Sequence, residues 1–318
     1  MSENFPEGYR DPSRPNPGGE YSARIIIYGY TPSLSFAAVA LATFGIMTIV
    51  HLYLTARYRT RYFSMVILGC IFEMVGYAFR MVSYLGNVYD YRWFVVSYFF
   101  LVVAPVLYSA AIYACMSSLV KSTGKWTPKQ AKQILIVFVT FDVVCTVAQV
   151  AGAAGIGAAS SNGKDPSNAN KAVIAGLAVQ TAAFLVFFIL LSLFAFTTPY
   201  WNSMASVLTR SEETGTVIVQ NPTRAKYHLL RAGRENIPSH ILLLLAASFF
   251  IFLRTVFRLA ESADGVNSKA ATSEILFAML DYFPVIIAVI LLALGHPGKY
   301  TQENIARAEQ AVVNKERA

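Results

Sequence analysis

Ionisable side chains recur inside stretches of this chain that are otherwise apolar, and their spacing is helical. In "EMVGYAFR", Glu73, Gly76, Tyr77 and Arg80 stand at i, i+3, i+4 and i+7, so one helix face carries all four. The same seven-residue offset separates Asp142 from Gln149 in "DVVCTVAQ" and Glu274 from Asp281 in "EILFAMLD"; Arg254, Arg258 and Glu261 form a further stripe in "RTVFRLAE". Three carboxylates (Glu73, Asp142, Asp281) set against three guanidiniums (Arg80, Arg254, Arg258) can form an ionic lattice or line a shared polar cavity. Such a cavity would receive a cationic amine at Glu73, Asp142 or Asp281, while the arginines compensate the unloaded carboxylates.

The solvent around these stripes follows from composition. Of 318 residues, 55% are hydrophobic and only 14% charged, with mean hydropathy +0.48; soluble domains carry about 25% charged residues. Crossing a bilayer takes roughly 20 apolar residues, and seven runs supply them, near 33–54, 63–85, 93–120, 134–157, 172–196, 239–260 and 275–294. The runs are continuously apolar rather than alternating, which selects helices over barrel strands and makes the chain all-α, a seven-helix membrane bundle. Polar stripes in lipid turn to the bundle interior. Each central charge left unpaired costs about 2.5–3.5 kcal/mol, so six would cost roughly 15–20. That rivals the whole stability of a domain, about 5–15 kcal/mol, so the charges must be paired, hydrated or in part protonated. Interhelical polar pairs can also serve purely as bundle glue, at about 0.6–2 kcal/mol each.

Charge distribution sets topology. Most Lys and Arg fall in the first, third and fifth loops and the C-terminal tail, which places the N-terminus outside and the C-terminus in the cytoplasm. The net charge of +8 is therefore a topology signal and not a nucleic-acid footprint. Residues 1–27 are polar, rich in Pro and Gly, and expected as a disordered tail without a signal peptide. The membrane domain covers 28–300, interrupted by a long cytoplasmic loop at about 197–238, and 301–318 form a cytoplasmic tail. Trp93, Trp126 and Trp201 sit at span ends as an interfacial belt. Pro105 and Pro284 are expected to kink the third and seventh helices, and Ala148, Gly152 and Gly155 permit close helix approach.

Several chemistries lack their residues. Cys70, Cys115 and Cys145 all lie within spans and read as small buried residues, without a disulfide or metal role. The sequence has no HExxH, GxSxG or GxxxxGK[ST] motif, so no catalytic residues, metal or cofactor are assigned and the chain is not expected to be an enzyme. His51, His228, His240 and His296 are scattered along the chain, leaving only a single axial haem ligand conceivable, at His51. Seven helices also invite a receptor reading, but the seventh span has no lysine for a retinal Schiff base and no NPxxY, and the third ends in "YACMSSLVK".

The ordered set "YGYTPS", "EMVGYAFR", "LVVAPVLYSAAIY", "FVTFDVVCTVAQVAGAAG", "RTVFRLAE", "LDYFPV" and "HPGKY" resembles the fungal RTA-like, lipid-translocating exporter family over about residues 28–300. The resemblance implies a seven-helix membrane protein linked to sphingoid long-chain base translocation and to resistance to toxic amphiphiles, with some relatives linked to porphyrin traffic. The expected function is transport or flipping of an amphiphile with a cationic head, partnered by membrane lipids, at the plasma membrane. A seven-helix receptor or stress sensor signalling through 197–238, and a porphyrin carrier using His51, are the alternatives.

Overall fold

With no water in hydrocarbon, every backbone amide must bond within its own segment, and helices do this without a partner strand. The computed structural model describes residues 9–123, 128–161, 165, 167–197, 237–264 and 272–299. Within them run α1 (Leu34–Tyr58), α2 (Ser64–Leu85), α3 (Tyr91–Thr123), α4 (Pro128–Ser161), α5 (Ser167–Thr197) and α6 (Ile237–Ala263). A composite α7 follows: an opening turn at Glu274–Phe277, a π-helical stretch at Ala278–Tyr282 and a regular helix at Phe283–Leu294. Seven helical segments among the described residues are long and apolar enough to cross a membrane, and the chain is a multi-pass membrane protein. The long loop expected at 197–238 and the tail at 301–318 lie almost wholly outside the described residues.

Local chemistry sets several boundaries. Ser33 caps α1 by accepting the Phe36 N–H on its hydroxyl, and Ser273 does the same for Leu276 at the start of α7. α1 ends at Arg59, whose φ of 56° is left-handed. The two expected kinks differ in form. α3 runs as one helix through Pro105. Before Pro284, which has no N–H to return to the preceding turn, the helix instead widens to the π stretch that contains Asp281.

One expectation is corrected. Residues 9–27 are not a loose tail where the structure describes them, because they carry apolar groups that a polar linker would not. Ala23, Ile26 and Ile27 are buried, the Ala23 N–H bonds the Tyr89 carbonyl, and Ser22 bridges to Asp90. Arg14 donates to the Tyr84 carbonyl and lies 4.0 Å from the Tyr84 ring centroid. The segment thus packs over the end of the bundle where α2 meets α3.

Large aromatic side chains fill the interior. Tyr77 is fully buried among Phe36, Phe44, Phe277 and Tyr282, with ring centroids 5.7–6.5 Å away. Glycines set the closest approaches: a Cβ at Gly69 would stand 2.5 Å from the Tyr108 ring, and one at Gly152 would stand 2.6 Å from Val173 on α5.

Candidate functional site

Asp281 is the electrostatic centre of the bundle. It is 2% exposed and sits on the widened turn of α7. Arg258 donates to it twice, from Nε to Oδ1 at 2.7 Å and from Nη2 to Oδ2 at 3.2 Å. Arg254, one turn earlier on α6, brings its Nε to 3.0 Å from Asp281 Oδ1; this is an ion pair by distance, but the N–H is not aimed to bond. Its Nη2 donates instead to the Leu101 carbonyl of α3 at 2.8 Å. Arg258 also donates from Nη1 to Glu261 Oε2 at 3.0 Å, so helical spacing on α6 feeds a chain of charges from Asp281 toward the end of the bundle.

A second arginine stands beside this chain. Arg80, 3% exposed, donates to the Tyr30 hydroxyl at 2.7 Å and lies 3.5 Å from Glu274 Oε1. The rings of Tyr28 and Phe277 stand 4.9 and 4.5 Å from its guanidinium carbon. Glu274 in turn accepts the Ser33 N–H at 2.8 Å, tying α7 to α1. Burial pushes the Tyr28 and Tyr30 hydroxyls up from the ordinary tyrosine value, against the pull of Arg80, so both stay neutral.

Between these groups lies a cavity of about 110 Å³ whose polar wall includes Tyr28, Tyr30, Arg80, Ser97, Arg258 and Glu261. Phe94, Tyr98 and Leu101 of α3, Ala153 and Ile156 of α4, and Asn170 and Val173 of α5 complete it. Three of the residues singled out by spacing therefore line the cavity: Arg80, Arg258 and Glu261. Arg254, Asp281, Glu73 and Tyr77 are buried and do not line it. Glu73 is 2% exposed, its Oε1 has no hydrogen-bond partner among the described residues, and Arg254, Asp281 and Arg258 act on it electrostatically. Tyr77 is completely buried and its hydroxyl is likewise without a partner.

Asp142 and Gln149 do not join the cluster. Tyr113 of α3 donates to Asp142 Oδ2 at 2.9 Å, and Gln149 Nε2 donates to Gln180 Oε1 of α5 at 2.6 Å. Both are 1% exposed and belong to a separate polar layer joining α3, α4 and α5. Helical spacing gave their common face but not the identity of the helices that cover it. The balance of charge changes accordingly. Without Asp142, and with Glu261 and Glu274 included, the cluster sets four carboxylates against three guanidiniums among the described residues.

Three histidines that seemed scattered converge at the opposite ends of the helices. His51 is fully buried, its Nε2 donates to the Val289 carbonyl at 3.1 Å, and its ring lies against Phe63. His296 also packs on Phe63, accepts the Gly298 N–H on Nδ1 and faces Thr60 from Nε2. His240 bonds the backbone at Gly295, the residue before His296. His51 Nε2 is thus engaged by backbone while its Nδ1 has no hydrogen-bond partner among the described residues, and among those residues no group of three His, Cys, Asp or Glu is arranged to hold a metal. The cysteines are free and buried, as their place in the spans required.

Tyr28, Tyr30, Ser97, Tyr98 and Asn170 also line the cavity, and the spacing of charges does not mark them. The first two lie between the expected tail and the first span, and the others lack a charge to mark them. "YGYTPS" did carry a signal in its paired tyrosines immediately before a Ser-capped helix.

Comparison with known proteins adds a second line of argument. The family described as "RTA1 like protein" matches residues 66–304. A Saccharomyces cerevisiae protein named sphingoid long-chain base transporter RSB1 is 29% identical over 282 residues, covering 85% of this chain and 73% of its own length. The probable lipid transporter atnI of Emericella nidulans is 25% identical over 274 residues, covering 83% of this chain and 66% of its own. Protein RTA1 of Saccharomyces cerevisiae is 24% identical over 299 residues, covering 85% and 84%. No solved structure matches the chain.

Proposed function

We propose, from the premise that this chain belongs to the RTA1-like family, that it moves amphiphilic lipids with a cationic head, of the sphingoid long-chain base class, across the membrane it spans. The surplus carboxylate carries this reading. Among the described residues, four buried or half-buried acids face three arginines, so one acid either holds a proton or takes a cation from outside the cluster, and a protonated amine can be that cation. Glu261 is the receiving group. It lines the cavity, its side chain is 17% exposed, and only one of its oxygens is engaged by Arg258. Asp281 is already held by two arginines, and Glu73 is buried and does not line the cavity.

Around the amine, Tyr98 and Phe94 offer ring faces, while Ser97, Asn170 and the Tyr30 hydroxyl can bond the hydroxyls of a sphingoid head. The names of the relatives point the same way: one is a sphingoid long-chain base transporter and another a probable lipid transporter. The proposed action is non-enzymatic movement of lipid. The basic loops favour the plasma membrane orientation in which the cavity end and the N-terminus face outward.

The test is flux of a fluorescent sphingoid base in liposomes carrying the purified protein. Wild-type protein should accelerate it over empty liposomes. Glu261→Gln should slow it about tenfold or more, the loss of one charge-assisted contact of about 1.5–3 kcal/mol. Equal flux with and without protein would remove the reading.

A further inference from the structure

A cavity of about 110 Å³ accommodates a head group but not a long alkyl chain, since sites that enclose whole organic ligands run to about 300–1,000 Å³. If the head of an amphiphile is seated there, its tail must lie elsewhere. The same two helices that wall the cavity supply a second hollow on their other side. It measures about 430 Å³ and is lined by Phe99, Val103 and Val106 of α3 and by Val143, Val147, Ala151 and their neighbours on α4. Its lining is almost wholly apolar, and Phe99, Val143 and Val147 are 37%, 48% and 65% exposed on a bundle that stands in lipid.

The two hollows are adjacent in register. On α3, Tyr98 faces the cavity and Phe99 the groove; on α4, Ala153 faces the cavity and Ala154 the groove. On α4 the side chains between the two hollows are small and apolar at Ala153 and Ala154, flanked by Val150 on the groove side and Ile156 on the cavity side. Farther along, Gly157 lets α4 approach α3 closely, since an added Cβ there would stand 3.1 Å from Tyr91 and 3.2 Å from Val95, so the seam is tight toward the end of the bundle.

We infer that the α3–α4 seam is a lateral portal and that the groove outside it holds the alkyl tail of the lipid whose head occupies the polar cavity. The inference rests on the head-group reading above. The occupant is a single unbranched hydrocarbon chain, because the groove offers apolar walls, no charge, and an open side toward the hydrocarbon. Entry is sideways from the leaflet, and the tail never has to cross the charged cluster.

The experiment uses full-length protein in nanodiscs and a sphingoid base with a photoreactive group in mid-chain. Labelling should map to residues 99–106 and 143–154 and be competed away by unlabelled sphingoid base. Ala151→Trp, which fills the groove, should cut that labelling at least tenfold, while Val186→Trp on the exposed face of α5 should leave it unchanged. A short-chain amino-diol with the same head should still raise the thermal midpoint of Ala151→Trp as it does that of wild type. Labelling outside the two segments, or equal labelling by a photoreactive phosphatidylcholine that sphingoid base does not displace, overturns the portal while leaving the head site standing. If the short amino-diol shifts neither wild type nor variant and Glu261→Gln flux is normal, the head-group reading fails and the portal falls with it.

Discussion

Asp281 and Arg258 each join two ion pairs, and Asp281 is the acid on which both α6 arginines converge. Two guanidiniums approach it from α6, both nearly inaccessible, and neither has another carboxylate at comparable distance except the Arg258–Glu261 contact. Replacing it with Asn keeps the volume and removes the charge, leaving Arg254 and Arg258 with one acid between them. Breaking a buried pair in this way costs about 3–5 kcal/mol, largely because the stranded charge stays buried. Asp281→Asn should therefore unfold at a clearly lower temperature in detergent and be poorly recovered as a monodisperse peak. Glu274→Gln is the contrast. Its side chain is 22% exposed, its distance to Arg80 is 3.5 Å, and a glutamine oxygen still accepts the Ser33 N–H. A smaller loss, about 1–3 kcal/mol, is expected there, because Arg80 is left without its carboxylate but keeps its bond to the Tyr30 hydroxyl and the ring faces around it. Equal destabilisation by the two variants would contradict the hierarchy. The sequence revealed that such charges had to be paired, since hydrocarbon makes isolation expensive. It did not reveal the pairs, because Asp142 and Asp281 look alike in spacing and differ only in which helices cover them.

At the scale of the helix, close approach decides what each glycine does. A Cβ on Gly152 would meet Val173 Cγ2 at 2.6 Å and the Ala169 carbonyl oxygen at 2.9 Å, and a backbone atom cannot rotate away. Gly152→Ala should force α4 and α5 apart and cost about 1–3 kcal/mol, the usual range for overpacking. Gly45 on α1 is the opposite case, with only the flexible end of Met74 within reach, at 3.7 Å. Gly45→Ala should be neutral or stabilising by up to about 1 kcal/mol, from helix propensity. Paired thermal unfolding curves check both signs at once. The small-residue run around Gly152 and Gly155 was legible as a packing surface, since lipid-embedded helices approach through small residues. The seven spans were legible for the same reason, their apolar runs being fixed by bilayer thickness. The prolines were less so: Pro105 and Pro284 have the same missing donor, yet one is absorbed within a continuous helix and the other accompanies a π turn. Local sequence states the defect, and the surrounding packing chooses how it is accommodated.

For the molecule as a whole, the ordered segment before α1 changes the meaning of the cavity. Composition suggested a tail, because Pro, Gly and polar residues outnumber its apolar ones; the few apolar ones, Ala23, Ile26 and Ile27, nevertheless reach the bundle and hold the rest in place. Ile27 and Tyr28 then form part of the cavity wall, so the segment acts as a cover over the polar site. Asp11 fastens it, accepting the Ser13 N–H, the Ser13 hydroxyl and the Thr31 hydroxyl at 2.6–2.9 Å. These bonds from Ser13 and Thr31 hold its carboxyl below the usual aspartate value. A lowered folded value means that this attachment is fully present above the ordinary aspartate range and is lost only as pH falls through the lower folded value. The cover should consequently stay equally closed from about pH 5 to 8. Ser97→Cys provides the reporter, since Ser97 lines the cavity, is 1% exposed, and the three native cysteines are buried. A membrane-impermeant thiol reagent applied to the outer side of cells should label it slowly and at a rate independent of pH across that interval. Adding Asp11→Asn, which replaces one accepting oxygen with a donor, should speed labelling several-fold, and removing residues 1–28 should speed it further. Labelling only from the cytoplasmic side would reverse the orientation read from the basic loops, and unchanged labelling in both variants would show that the segment rests on the bundle without covering the site.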